Sequence, residues 1–210
     1  MRNNYDPIAG SYDLLSRLVF GQAEINAQVE LLRYIGPGSR ILIVGGGTGW
    51  ILERLAAIHP SGLRITYVES SANMMALTKK RNCGHNEVVL VQLPVEQFVT
   101  EERYDAILTG FLFDNFSVDS ATQVFHTLHA LLKNEGYWLF ADFYYHKGKG
   151  KLWQSLMLQS MYTSARLVCH VEAKELTDTE PLFTAAGYRQ VYSAFHYGRF
   201  IKSIAYQKIR

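Results

Sequence analysis

Four glycines and one carboxylate carry the first chemistry that this sequence offers. Gly45, Gly46, Gly47 and Gly49 follow directly on Ile41-Leu42-Ile43-Val44, and Glu69 lies 20 residues beyond the last of them. A glycine turn lets the backbone come close to a ligand with no Cβ in the way. The helical stripe after it, Ile51, Leu52, Leu55 and Ile58, starts a helix whose free N–H groups point at whatever rests on the turn. A carboxylate at the carboxyl tip of the next parallel strand can accept hydrogen bonds from both hydroxyls of a ribose. The combination describes half of a nucleoside site. Spacing narrows it further: G-x-G-x-x-G from Gly45 would need glycine at position 50, which is Trp50, and from Gly46 it fails at Thr48 and Ile51. No lysine lies between Gly45 and Pro60, so a phosphate-binding P-loop is excluded. What remains is G-x-G-x-G.

A second set of groups could move a proton. Asp142 closes the apolar run Tyr137–Phe143 and is followed by Tyr144, Tyr145 and His146, a strand tip that could position and deprotonate an acceptor. Asp142, His146 and His170 are the candidate bases, in that order. His126 and His129 sit three residues apart on a helix without an acidic or cysteine ligand at helical spacing, so they read as surface histidines and no metal site is expected. Phe111, Leu112 and Phe113 follow the run Tyr104–Thr109 and are candidates to line a ligand crevice.

The elements that must position these groups follow from pattern. The four-residue apolar run before the glycines suits a strand covered on both faces. Further strands are expected over Leu63–Val68, Glu87–Val91, Tyr104–Thr109 and Tyr137–Phe143. Helices are expected over Gln22–Tyr34 with Ile25, Val29 and Leu32 on one face, over the segment after Ser71, and from Ser117 or Asp119 to Leu132. Lys133–Gly136 reads as a turn and Lys147–Lys151 as a solvated basic loop. Trp153, Leu156, Met157 and Met161 mark one face of a helix from Leu152, and Glu172–Ala186 reads as another, closed by Gly187, with Thr177 or Asp178 as caps. Tyr188–Tyr197 and Phe200–Lys208 alternate around Gly198 as a hairpin.

Composition sets the outer limits. A chain of 210 residues suits one α/β domain with a sizeable core. Lys and Arg total 21 against 19 Asp and Glu, a net charge of +2, which does not favour a nucleic-acid partner. Cys83 and Cys169, without CxxC spacing or a signal peptide, fit a reducing cytoplasm. The most apolar long segment, 152–169, carries Gln154, Gln159 and Arg166, so no membrane span is expected.

The order of these signals resembles the class I S-adenosylmethionine-dependent methyltransferases, in their small-molecule branch related to the ubiquinone and menaquinone methyltransferases. Tyr5, Ala9 and Tyr12-Asp13 match a YDxxAxxYD lead-in that folds over the cofactor. G-x-G-x-G matches motif I, Glu69 the ribose acid, Ser71–Leu77 a DxSxxML segment, Tyr104-Asp105 an FDxIxx strand, and Lys133–Gly136 the glycine signal before strand five. The resemblance implies an α/β Rossmann-like three-layer sandwich. Its seven-stranded, mostly parallel sheet would have the order 3-2-1-4-5-7-6 with strand 7 antiparallel. It implies a single domain over 1–210, with an N-terminal helical cap over 1–38 and a substrate-side insertion over 144–172. It also implies S-adenosylmethionine as cofactor, held by Tyr12, Gly45, Gly46, Gly47, Gly49, Glu69, Ser70, Met74, Pro94, Val95, Gly110 and Phe111. The expected reaction is methyl transfer to a small, apolar or aromatic acceptor; the oligomeric state is not specified. Two departures stand out: Ile43 replaces the acid usually found two residues before the first glycine, and Leu93 or Pro94 replaces the acid that meets adenine. Both predict a weaker polar grip on the cofactor. They leave open a cofactor-binding protein without transfer activity, or a non-enzymatic interaction module on the same fold.

Overall fold

The apolar run Arg40–Val44 forms β1, and its alternation sets the layers of the molecule. Ile41 and Ile43 point to one side and Leu42 and Val44 to the other, all four of them buried. The computed structural model describes residues 5–145, 152–169, 173 and 175–209. On one face of the sheet, Ile41 and Ile43 pack with Ala27, Leu31, Ile51 and Leu55. On the other, Leu42 and Val44 belong to a cluster with Val124, Phe125, Leu128, Trp138 and Phe183.

The other strands are β2 (Ser61–Glu69), β3 (His85–Gln92), β4 (Tyr104–Gly110), β5 (Leu132–Phe143), β6 (Tyr188–His196) and β7 (Ile201–Lys208). Their order is β3-β2-β1-β4-β5-β7-β6, as the resemblance implied. The first five run parallel to their neighbours, and β7 is antiparallel to both β5 and β6. The order reverses between β1 and β4, and a crevice opens at the carboxyl ends of these strands.

Seven α-helices surround the sheet among the described residues: α1 (Tyr12–Phe20), α2 (Ala23–Val29), α3 (Trp50–Ile58), α4 (Ala72–Thr78), α5 (Val118–Leu131), α6 (Leu152–Val168) and α7 (Glu180–Ala185). Ser71 and Ser117 cap α4 and α5, accepting the backbone N–H of Met74 and Ser120. No helix among the described residues is long and apolar enough to cross a membrane.

Three local expectations change. The helix expected over Glu172–Ala186 begins only at Glu180, because Pro181 has no N–H to donate and is tolerated only in a first turn. The buried face of α2 is Glu24, Ala27 and, beyond the helix, Leu31, rather than Ile25 and Val29. The turn Lys133–Gly136 is absorbed into β5 as a bulge: Leu132 pairs with Tyr104 and Tyr137 with Ala106, and Glu135 takes up the excess at φ 62°.

Leu42→Ala should lower unfolding free energy by about 2 to 5 kcal/mol in urea titration. Val89→Ala, on the exposed edge strand, should stay within about 0.5 kcal/mol of the parent.

Candidate functional site

The glycine turn after β1 is built around one peptide group. Gly47 stands at φ 65°, in the left-handed region, and a Cβ there would meet nothing within 4 Å. Its N–H donates to Glu69 Oε2 at 3.0 Å, and its carbonyl accepts from the hydroxyls of Tyr67 at 3.1 Å and Thr78 at 3.0 Å. The N–H of Ser71 donates to Glu69 Oε1 at 2.8 Å. Glu69 is therefore fixed at the tip of β2 by two backbone donors while lining the crevice. Burial raises its pKa, and the N–H groups of Ser71 and Gly47 act against the rise. Gly49 has a different task from its neighbours. It lies outside the crevice, where a Cβ would come within 2.7 Å of Thr78 Cγ2, so it serves the close packing of the turn on α4.

The N-terminal segment closes over this turn through polar contacts. Asp6 accepts from the hydroxyl of Ser71 and from the N–H of Asn73 at 3.0 Å, which lowers its pKa. Thr48 donates its hydroxyl to Asp13 at 2.9 Å, and Arg81 pairs with Asp13 at 3.2 Å while donating Nε to the Thr48 carbonyl at 2.9 Å. Tyr5 donates to Asn115 Oδ1 and meets Tyr12 edge-on, with ring centroids 6.2 Å apart.

Between these elements lies a cavity of about 1230 Å³. Of the residues expected around the cofactor, Tyr12, Gly45, Gly46, Gly47, Glu69, Ser70 and Met74 all line it. So do Pro94, Val95, Gly110 and Phe111, and only Gly49 does not. Ile43 instead sits sealed in the core, fully buried. The exposed Glu96 follows Pro94 and Val95 along the rim, where an adenine-facing acid was missing from the expected position. The far half of the cavity is walled by α1 and α2, by Phe111 and Phe143, and by Leu158, Met161 and Tyr162 of α6. On α6 the inward face thus runs through Gln154 and Leu158, and Leu156 faces outward.

Asp142 does not line the cavity. Its Oδ2 accepts the N–H of Phe113 at 3.1 Å and its Oδ1 the N–H of Phe143 at 2.8 Å, so it straps the 111–116 loop to the end of β5. Burial pushes its pKa to about 7, against those two donors. The carboxylate that reaches the cavity from this loop is Asp114, whose pKa is driven well above the usual range by burial and by the charges of Asp142 and Glu24. Glu24 reaches it from α2; burial lifts its pKa to about 7, and the hydroxyl of Ser16 donates to it. Neither Asp114 nor Glu24 was singled out from sequence. The available signal was a carboxylate at i, i+3 and i+7 spacing with Ala27 and Leu31, on the buried face of its helix. His146 and His170 lie outside the described residues.

A glycine turn facing a strand-tip carboxylate, on a seven-stranded sheet of this order, defines the class I S-adenosylmethionine-dependent methyltransferase fold. Comparison with known proteins agrees. Residues 42–138 match the family described as a methyltransferase domain. The chain is 32% identical over 146 residues to the ubiquinone/menaquinone biosynthesis C-methyltransferase UbiE of Geotalea uraniireducens, covering 66% of this chain and 61% of that protein. It is 28% identical over 144 residues to a malonyl-[acyl-carrier protein] O-methyltransferase of Bacillus cereus, covering 68% of this chain and 52% of the relative. The chain thus spans about half the length of that protein. Among solved structures, the 1,6-didemethyltoxoflavin-N1-methyltransferase of Burkholderia thailandensis, with S-adenosylhomocysteine bound, superposes with a TM-score of 0.69 at 19% identity, covering 98% of this chain and 86% of the other. The N-methyltransferase NodS of Bradyrhizobium japonicum does so with a TM-score of 0.63 at 14% identity, covering 89% and 87%. Residues 42–138 are thus similar to a methyltransferase domain, and the cofactor that this similarity supports is S-adenosylmethionine. The residues present fit that group: the space over Gly47 is open, and Glu69 is oriented by two backbone donors beside it.

The folded-state pKa of Glu24 lies above its ordinary 4.5, so the folded chain holds this proton more tightly than the unfolded one. Its contribution is therefore present at low pH and is lost as pH rises from 4.5 to about 7. Glu24→Gln, which keeps an acceptor for Ser16 without the charge, should be more stable than the parent by about 1 to 3 kcal/mol near pH 8, the gap closing near pH 4. Thermal unfolding at the two pH values measures this.

Proposed function

We propose that the protein transfers a methyl group from S-adenosylmethionine to a small acceptor that occupies the apolar and aromatic half of the cavity. The observation that carries this reading is the single chamber in which Glu69 and the open turn at Gly47 face one half, while Phe111, Phe143, Leu158 and Met161 line the other. In this reading Glu69 holds the ribose hydroxyls, and the backbone of Gly45–Gly47 cradles the amino-acid portion. Pro94 and Val95 flank the adenine, with Ser70 and Met74 beside the nucleoside. Tyr12, Gly110 and Phe111 border the methionine end. Bound S-adenosylmethionine supplies a methyl carbon already activated by a sulfonium.

The chain's own residues then have to exclude water and align the acceptor. Tyr5, Tyr12 and Tyr162 wall the chamber with large rings, and their hydroxyls titrate well above the ordinary tyrosine range because they are buried. A base is required only for an acceptor that must lose a proton. Asp114 is the carboxylate in place for that task and Asp142 its positioning residue; His146 and His170 remain candidates. A small molecule suits the acceptor half, whose lining is largely apolar and aromatic. Two unpaired cysteines, Cys83 and Cys169, support a reducing, cytoplasmic setting.

Calorimetry with S-adenosylmethionine and S-adenosylhomocysteine tests the first half of the proposal. The parent should bind both, and Glu69→Ala should weaken binding by about tenfold to a hundredfold, the loss of charge-assisted hydrogen bonds. Absence of binding to either compound, or unchanged affinity in Glu69→Ala, rejects it. Methyl release screened against phenols, quinones, amines and carboxylates tests the second half.

A further inference from the structure

We propose that the acceptor half of the cavity recognises a small arylalkylamine in its cationic form, with Glu24 and Asp114 as the anionic partners and the rings of Tyr5, Tyr12 and Tyr162 around it. The inference rests on the methyl-transfer reading and names the acceptor class of the same site.

Glu24 is only 8% exposed, yet it forms no ion pair among the described residues. Its Oε2 takes the Ser16 hydroxyl, and its Oε1 has no partner among the described residues. Among the described residues, every side-chain nitrogen or oxygen that is sealed from solvent does have a partner. The free Oε1 of Glu24 is therefore an atom that the cavity reaches. Asp114 is likewise without a cation: Asn115 Nδ2 donates to its Oδ1 at 2.8 Å, and its carbonyl accepts from the Tyr162 hydroxyl at 3.3 Å. Both residues line the chamber, and the charge of Glu24 acts on Asp114. Arg17 is the one basic side chain among the described lining residues, and it is exposed on α1 at the rim.

A buried carboxylate without a counter-charge is costly, and two facing the same chamber more so. An ammonium satisfies both carboxylates at once, and for transfer it gives one proton to Asp114, freeing the nitrogen lone pair that forms the bond to the methyl carbon as the carbon–sulfur bond of the sulfonium breaks. Ring faces add the attraction of an aromatic quadrupole for a cation. A carboxylate acceptor would instead meet like charge, and a neutral apolar acceptor would leave both acids unpaired. The amine class is the one that the chamber complements in charge as well as in shape.

The test uses the full chain saturated with S-adenosylhomocysteine and three probes of similar size: phenethylamine, 2-phenylethanol and 3-phenylpropionate. Isothermal titration should show the amine binding at least about tenfold tighter than the alcohol, with the carboxylate weakest. Glu24→Gln and Asp114→Asn should each lower amine affinity by about tenfold, while affinity for S-adenosylhomocysteine stays within about twofold. Equal or tighter binding of the alcohol or the carboxylate overturns the proposal, as does binding of none of the three. Unchanged amine affinity in Glu24→Gln, or an equal loss of S-adenosylhomocysteine affinity, assigns the acids elsewhere and also overturns it. The selectivity of the parent stands independently of whether Asp114→Asn folds. Failure of the parent to bind S-adenosylhomocysteine rejects the methyl-transfer reading itself, whereas binding without amine preference rejects only the acceptor class.

Discussion

The site depends on satisfying one peptide group. With its N–H on Glu69 and its carbonyl taken by the hydroxyls of Tyr67 and Thr78, Gly47 joins β1, β2 and α4 at a single point. A left-handed backbone there would be loose if its polar groups faced water. Paired on both sides inside the protein, it becomes a rigid edge, and the carboxylate that would grip a ribose is oriented by the same bond that orients the turn. The lost acid at Ile43 therefore did not leave the turn unsupported: the support comes from β2 and α4, and from the Asp13–Thr48–Arg81 bridge above it.

The second constraint is electrostatic. Two buried carboxylates, Glu24 and Asp142, and the half-buried Asp114 lie around the far half of the cavity, and they have unequal roles. Asp142 has both oxygens on backbone N–H groups and acts as a strap for the 111–116 loop. Asp114, presented by that strapped loop, and Glu24, presented by α2, keep oxygen atoms toward the chamber. The polar latches of the N-terminal segment and the apolar rings beneath it border the same cavity as Asp114 and Glu24, so these two acids sit in a low-dielectric setting.

The parts of the fold that were legible in the sequence are those in which local pattern and tertiary demand coincide. The Ile41–Val44 run is apolar because β1 is covered on both faces, and its order with the glycines and Glu69 encodes the crevice. Ser71 and Ser117 cap helices by a purely local bond. What stayed hidden depends on partners far along the chain. Glu24 broke the expected stripe of α2 because its environment is a cavity rather than core or solvent. Asp114 and Asp142 could not be told apart by strand position, since a hydrogen bond to Phe113 decides which of them turns inward. Gly49 reads as part of the ligand turn but answers to the Thr78 side chain. The late start of α7 goes with Pro181, which stands in its first turn.

The placement of β7 between β5 and β6 also governs when the chamber can exist during synthesis. The wall formed by α1 and α2 is anchored to the last hairpin: the hydroxyl of Tyr197 donates to the carbonyl of Val19 at 2.7 Å across 178 residues of sequence, and His196 meets Glu30 at 2.8 Å across 166. Such closures carry a large loop entropy that is met only when both ends are present. The edge made largely by residues 40–110, with the glycine turn and Glu69, can take shape early, whereas the wall of α1 and α2 waits for residues 196–208. An emerging chain therefore acquires one side of the cavity before it acquires the other.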